Sequence, residues 1–213
     1  MKKLLIFDLD GTLLDSLEDL KNSTNYSLKK FGFPERTLDE VRRFVGNGLG
    51  LLMTRAVPQN TDKETTELAL SAMKDHYRAH CHDKTVPYPG ILKMLKALKD
   101  RGYHCAIVSN KAQPMVDILK DFYFQDLVDL AVGESENCRR KPAPDLVYAV
   151  EEKLGKDALF IGDSDVDIET ARNAGIPCLS VGWGFRTEQQ LMEAGAEKIC
   201  FTPAELMDEI LKL

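Results

Sequence analysis

The chain has 213 residues, 44% of them hydrophobic and 29% charged, and a formal net charge of -6. A chain of this length buries a substantial core, as one domain or as one domain with a smaller one inserted. Its hydrophobic content excludes disorder and its acidic balance excludes a surface built for nucleic acid, so any handling of anions has to rest on locally concentrated positive charge, from a metal ion and one or two lysines.

In chain order, short apolar runs read as buried strands at 4–7, 105–108, 128–132, 158–161, 178–181 and 198–201, most of them followed by Gly, Asp, Ser or Asn. Between them lie helical patterns at 91–101, 114–121, 144–154, 166–174 and 188–194; in the first, Ile91, Leu92, Leu95 and Leu98 recur at helical spacing. Strands alternating with helices of this length predict a parallel sheet covered by helices. Residues 16–84 break the alternation with helical patterns at 17–31, 39–57 (interrupted at Gly46-Asn47-Gly48) and 62–80. The expected organisation is therefore a sheet domain formed by 1–15 and 85–213, with a helical domain at 16–84 inserted after the first strand. Pro87 and Pro89 mark the hinge or linker that returns to the sheet.

In open α/β sheets ligands sit beyond the carboxyl ends of the strands, so polar residues just after apolar runs are the first candidates for a site. Four runs supply them. In Phe7-Asp8-Leu9-Asp10-Gly11-Thr12 the alternation of an extended segment points Asp8 and Asp10 the same way, and Gly11 permits a sharp turn. A carboxylate is already ionised at neutral pH, so Asp8 can attack phosphorus without an activating base; a strand-end turn that caps a helix would use the same residue types. Ser109, with Asn110 and Lys111 following, places a hydroxyl and amides where they could hold phosphoryl oxygens, and equally where a helix cap is needed. In Arg139-Arg140-Lys141-Pro142-Ala143-Pro144 the prolines stiffen a segment whose Lys141 would offset negative charge, or which is a solvated basic loop. Gly162-Asp163-Ser164-Asp165-Val166-Asp167 is an acidic cluster; Asp8, Asp10 through its backbone carbonyl, and Asp163 make a partial oxygen shell for Mg2+, with Ser164 and Asp167 behind it. A calcium loop would need acidic ligands continuing further along the segment.

These residues, in this order, resemble the haloacid dehalogenase superfamily over essentially the whole chain. The resemblance implies an α/β fold with a Rossmann-like parallel sheet core and an inserted small α-helical cap domain. It implies a Mg2+-dependent phosphatase acting on a small organic phosphate: Asp8 as nucleophile, Asp10 as general acid and then base, and Lys141 with Thr12, Ser109 and Asn110 around the phosphoryl group. Phe44-Val45-Gly46-Asn47-Gly48-Leu49 further resembles the phosphoglycolate phosphatase group. There Gly46, Asn47 and Gly48 either expose amides to a distal carboxylate or simply provide a turn between two helices.

Rival readings are a β-phosphoglucomutase-like mutase, a pyrophosphatase or nucleotidase of the same superfamily, a hydrolytic dehalogenase and a non-catalytic regulator. Relatives of the mutase kind usually carry a cap histidine soon after the first motif, whereas no histidine precedes His76 here; a dehalogenase has no need of Asp10 as an acid; a regulator would be expected to have lost Asp8, Asp10 or Lys141. His76, His80, Cys81 and His82 suggest a metal site or a solvated helix end, and Trp183 either approaches the site or packs under the loop that follows it. Cys81, Cys105, Cys138, Cys178 and Cys200 are odd in number and contain no C-x-x-C pair, which argues against disulfides and structural zinc and for the cytoplasm. Residues 1–7 open like a secretory leader, but Asp8 and Asp10 come too early for an apolar region of about 7–15 residues. No apolar run approaches the roughly 20 residues of a membrane span. The expected partners are therefore a small organic phosphate, with neither nucleic acid nor membrane, in a monomer or homodimer.

Overall fold

The computed structural model describes residues 4–135 and 138–212; residues 1–3 of the leader-like opening lie outside it. The first apolar run forms β1 (Leu4–Phe7), buried at all four positions as expected of a strand covered on both faces. A turn leads to the two-residue β2 (Leu14–Asp15). By its internal packing the chain then divides into two compact units, Met1–Asp15 with Pro87–Leu213, and Ser16–Val86.

The second unit is helical: α1 (Leu17–Lys30), α2 (Leu38–Phe44), α3 (Gly48–Ala56) and α4 (Lys63–His80). Leu17, Leu20, Thr24 and Leu28 bury one stripe of α1, and Ala69, Met73 and Tyr77 one stripe of α4, at the spacing of a helix face. Ser27 Oγ donates to the Ala69 carbonyl at 2.6 Å between these two helices. Thr37 and Glu40 form a capping box that starts α2, and the Asp62 side chain caps α4. Asp19 accepts the Lys84 and Thr85 amides and the Thr85 hydroxyl, tying the end of the unit to its first helix.

The chain returns through β3 (Val86–Pro87), which pairs with β2, and continues as α5 (Ile91–Asp100), β4 (His104–Ala112), α6 (Gln113–Tyr123), a 3-10 turn at Gln125–Leu127, β5 (Leu130–Glu134), α7 (Asp145–Leu154), β6 (Ala158–Gly162), α8 (Asp165–Ala174), β7 (Cys178–Val181), α9 (Glu188–Glu193), β8 (Ile199–Cys200) and α10 (Pro203–Ile210). The main sheet has the order β5-β4-β1-β6-β7-β8, each neighbouring pair parallel. This is the α/β, Rossmann-like arrangement expected from the motifs. Leu4, Ile6, Ala106, Val108, Ala158 and Phe160 pack on Leu146, Val147 and Val150 of α7 and Ala171 of α8. Strands β4 and β5 extend to one side of β1 and β6 to β8 to the other, so the winding reverses between β1 and β6, where such folds hold ligands.

Four elements stand out against the sequence reading. Strand β4 runs on to Ala112 through polar residues, with a register shift against β5 between Val108 and Ala112. Helix α10 was not expected, although Thr202 caps it by accepting the Glu205 amide and Pro203 opens it, a start signal readable in the sequence. The two-residue strands β2 and β3 are too short to show any periodicity. Among the described residues no helix is long and apolar enough to cross a membrane. All five cysteines are free, and burial pushes the Cys105 thiol up to about 12, the behaviour of an inert core thiol.

Candidate active site

Asp8 follows β1 directly and its amide donates to the Ile161 carbonyl at 2.9 Å, continuing the β1–β6 pairing past Phe7. Asp8 Oδ1 accepts the Leu9 amide at 2.7 Å. Gly11 turns the chain at φ 87°, and a Cβ there would overlap the Asp163 carboxylate; a side chain at this position is excluded by both strain and space. Thr12, fully buried, donates its hydroxyl to Asp163 Oδ1 at 2.9 Å, so residues from the ends of β1 and β6 meet across the point where the sheet reverses.

Lys141 joins two carboxylates of the site, Asp8 and Asp167. Its side chain is 2% exposed, and the ammonium lies 2.8 Å from Asp8 Oδ1 and 2.7 Å from Asp167 Oδ1. Asp167 is wholly buried in the first turn of α8; its Oδ2 accepts the Ser164 hydroxyl at 2.6 Å and the Ser164 amide at 3.1 Å, while Ser164 caps the helix. The reciprocal cap fixes Asp167, and Asp167 fixes Lys141. Gly162 makes this possible, since a Cβ on it would overlap Asp167.

Three buried carboxylates, Asp8, Asp163 and Asp167, each offer an oxygen within 4.8 Å of the others, and Lys141 is the ammonium paired with two of them. Burial first, then Asp167, raises the Asp8 carboxyl well above its ordinary value against the pull of Lys141. Burial and Asp167 likewise push Asp163 up to about 7. Burial works against the Lys141 charge, but Asp167 and Asp8 outweigh it and hold the ammonium protonated. A buried site with excess negative charge and hard oxygen donors fits a divalent cation.

Ser109, Asn110 and Lys111 lie in the shifted segment of β4, and all three are buried. Ser109 Oγ accepts the Lys111 amide at 3.2 Å, and Asn110 Nδ2 donates to the Lys141 carbonyl at 3.0 Å, joining the second and third motifs. Lys111, considered in the sequence for its amide alone, places its ammonium 3.1 Å from Asp10 Oδ2. The loop after β7, where the sequence left Trp183 either near the site or packed under the loop, comes up against the first motif and Asp163. Phe185 donates its amide to Asp163 Oδ2 at 2.8 Å, and Gly184 fits so closely that a Cβ would overlap Asp163 and the Gly11 carbonyl. Trp183 Nε1 donates to the Thr12 carbonyl at 3.0 Å, so this indole braces the first motif. The Gly182-Trp183-Gly184 pattern was the available signal for a close approach.

The remaining candidates lie in the helical unit. Gly46 and Gly48 take φ of 112° and 80°, and Asn47 caps α3 without a side-chain bond to it. Arg55 reaches back from α3 to the Phe44 carbonyl at 2.7 Å and to Asn47 Oδ1 at 3.2 Å, so a guanidinium holds this loop. His76 and His80 stack with ring centroids 4.3 Å apart; their Nδ1 atoms meet Ser23 Oγ and Asp83 Oδ2. Among the described residues, the group of three or more side chains close enough to share a metal is the aspartate cluster.

A family profile described as haloacid dehalogenase-like hydrolase matches residues 5–181. The chain belongs to that family. A phosphoglycolate phosphatase of Pseudomonas syringae pv. syringae (strain B728a) is 33% identical, the match covering 100% of this chain and 79% of the relative. Another from Aquifex aeolicus (strain VF5) is also 33% identical, over 86% of each chain. A crystal structure from Lactobacillus delbrueckii subsp. bulgaricus, provisionally ascribed to a phosphoglycolate phosphatase, matches with TM-score 0.94 at 34% identity and covers 98% of both chains. For the fold alone, CbbY from Rhodobacter sphaeroides in complex with phosphate matches with TM-score 0.75 at 22% identity, over 97% of this chain and 96% of that one. The protein is accordingly an enzyme, a phosphatase of the haloacid dehalogenase type.

Proposed function

We propose that this phosphatase hydrolyses a small organic phosphomonoester, 2-phosphoglycolate first among them, with Mg2+ and through an aspartyl phosphate on Asp8. The observation that carries the reading is the buried cluster in which Lys141 bridges Asp8 and Asp167 beside Asp163. Asp8, Asp163 and the Asp10 backbone carbonyl would hold the cation, and Asp167 keeps Lys141 in place. When bound, Mg2+ supplies positive charge to the oxygens of the transferring phosphoryl group.

The reaction then balances on this chain's own residues. An oxygen of Asp8 forms a bond to phosphorus as the ester P–O bond breaks; the released electron pair stays on the ester oxygen, which takes the proton of Asp10 and departs as an alcohol. Water next attacks phosphorus, its proton passes to Asp10, and the P–O bond to Asp8 breaks with the pair returning to the carboxylate. The Ser109 hydroxyl, the Asn110 amide and Lys141 donate to the phosphoryl oxygens, the source of most of the acceleration in this chemistry. Thr12 supports the phosphate region through Asp163.

In this proposal residues 1–15 and 85–213 form the catalytic core and the helical residues 16–84 a cap, which excludes water during transfer. The glycine conformations at Gly46 and Gly48 and the strap from Arg55 to Asn47 support a preformed loop that recognises the carboxylate of the substrate. The test is phosphate release from 2-phosphoglycolate, sugar phosphates, nucleotides and pyrophosphate, with Mg2+ and with chelator. Mg2+-dependent preference for 2-phosphoglycolate is expected. Preference for another ester removes that substrate and leaves the mechanism, while wild-type turnover by a folded Asp8→Asn variant removes the nucleophile.

A further inference from the structure

Lys111 is a second buried lysine in this unit, and the reaction as written does not use it. Its side chain is 2% exposed and its ammonium sits 3.1 Å from Oδ2 of Asp10, whose own side chain is 21% exposed. Burying an ammonium is costly unless polar groups take up its hydrogen bonds, and Oδ2 of Asp10 supplies one of them.

The backbone is arranged to aim this side chain. The register shift of β4 against β5 spans Ser109 to Lys111, and such irregularities redirect side chains near functional sites. Gln113 stitches the shifted segment to β5 from both ends of its amide, accepting the Gly133 amide at 2.6 Å and donating to the Ala131 carbonyl at 3.1 Å. Gly133 packs against the Lys111 carbonyl so closely that no Cβ fits between them. The two aspartates of the first motif are thus held by different lysines, Asp8 by Lys141 and Asp10 by Lys111.

We propose that Lys111 is a positioning residue for the leaving-group step: by gripping Oδ2 of Asp10 it sets the rotation of that carboxyl group, so that the other oxygen carries the proton to the departing ester oxygen. The proposal rests on the phosphatase reading and adds to it the residue on which the geometry of the general acid depends. No other bond of the reaction changes: the proton moves from Asp10 to the ester oxygen, and Lys111 keeps its own.

The role predicts a dependence on the leaving group. An alkoxide is too basic to depart without a proton, whereas p-nitrophenolate departs unaided, and general acid catalysis is typically worth 10²–10⁴-fold. The experiment compares wild type and Lys111→Met, both checked for folding by thermal melting, on an alkyl phosphate from the substrate panel and on p-nitrophenyl phosphate at saturating Mg2+. Read as kcat/KM, which ends at the aspartyl phosphate and so excludes the hydrolysis that both esters share, the expected result is a loss of roughly 100-fold on the alkyl ester and of less than about fivefold on the aryl ester, with the alkyl loss lying in kcat rather than KM. In an Asp10→Asn background, Lys111→Met is expected to change the alkyl-ester kcat by less than about twofold, because both substitutions remove the same step.

Equal loss on both esters overturns the proposal and leaves the phosphatase reading intact, since a merely structural lysine damages both reactions alike. A raised KM with kcat unchanged also overturns it, by making Lys111 a substrate-binding group. Should Lys111→Met not fold, Lys111→Gln, a polar side chain whose amide ends one bond short of the ammonium and so loses the grip on Asp10, supplies the same ratio between esters. A wild type that releases phosphate from neither ester defeats both readings.

Discussion

Replacing Asp167 by Asn tests whether Lys141 is held by its partner or holds itself. Asp167 is fully buried and accepts three hydrogen bonds, from Lys141 Nζ and from the amide and hydroxyl of Ser164. The Asn side chain has nearly the same shape but one acceptor oxygen, so its amide nitrogen must face a donor. Losing one partner of a buried ion pair costs about 3–5 kcal/mol when the other charge is abandoned. Here Lys141 keeps Asp8 at 2.8 Å, and the charge that raises both the Asp8 and Asp163 carboxyls is gone, so the net expectation is nearer 2 kcal/mol. For a chain of this size that is a fall in Tm of roughly 4–8 °C. Catalysis should lose more, because a charge-stabilising donor is typically worth about 10²–10³ in kcat. The assay is thermal melting together with kcat at saturating substrate. An Asp167→Asn variant with wild-type kcat, alongside an inactive Lys141→Met, would refute the argument that Asp167 fixes the lysine.

The metal-free protein is expected to lose stability as pH rises through the range from about 4 to 7. Asp163 is raised to about 7 from an ordinary 3.8, so the native state binds a proton that the unfolded chain releases first. The stabilisation is complete below the unfolded value and gone above the folded one, a span of up to about 4 kcal/mol. Melting in chelator at pH 5 and pH 8 should show it, with Mg2+ raising Tm more at pH 8; equal effects of Mg2+ at both pH values would contradict the assignment. Gly162→Ala should cost about 1–3 kcal/mol and much of kcat, because its Cβ overlaps Asp167; a melt and an activity assay together check this. Gly50→Ala, inside α3 and no closer than 3.9 Å to Leu70 Cδ2, should instead stabilise by roughly 0.5–1 kcal/mol, read as a higher Tm with unchanged turnover.

Much of this protein is written locally. The run at Leu4–Phe7, short and followed by Asp8-Leu9-Asp10-Gly11, reads as a strand buried on both faces, and the boundaries of β1, β7 and α5 follow from apolar spacing and the polar or glycine residues beside it. Asp8, Ser109 and Asp163 stood out as candidates for the same reason, each being a polar residue at or just after the end of an apolar run, whereas Lys141 stood out only as the basic residue before a proline-stiffened segment. Even α10 carried its start signal at Thr202-Pro203.

What the tertiary structure alone decided is which of these residues meet. Alternating strands and helices dictate a parallel sheet, but the place of β1 between β4 and β6 is a matter of packing. That order brings Thr12 to Asp163 across 151 positions of sequence, and Phe185 to the same carboxylate across 22. The irregular end of β4 turns Lys111 from one residue of a motif into the partner of Asp10. Periodicity and capping act over a few residues, whereas the charge and burial that set a carboxylate's chemistry come from whichever distant side chains the fold places around it.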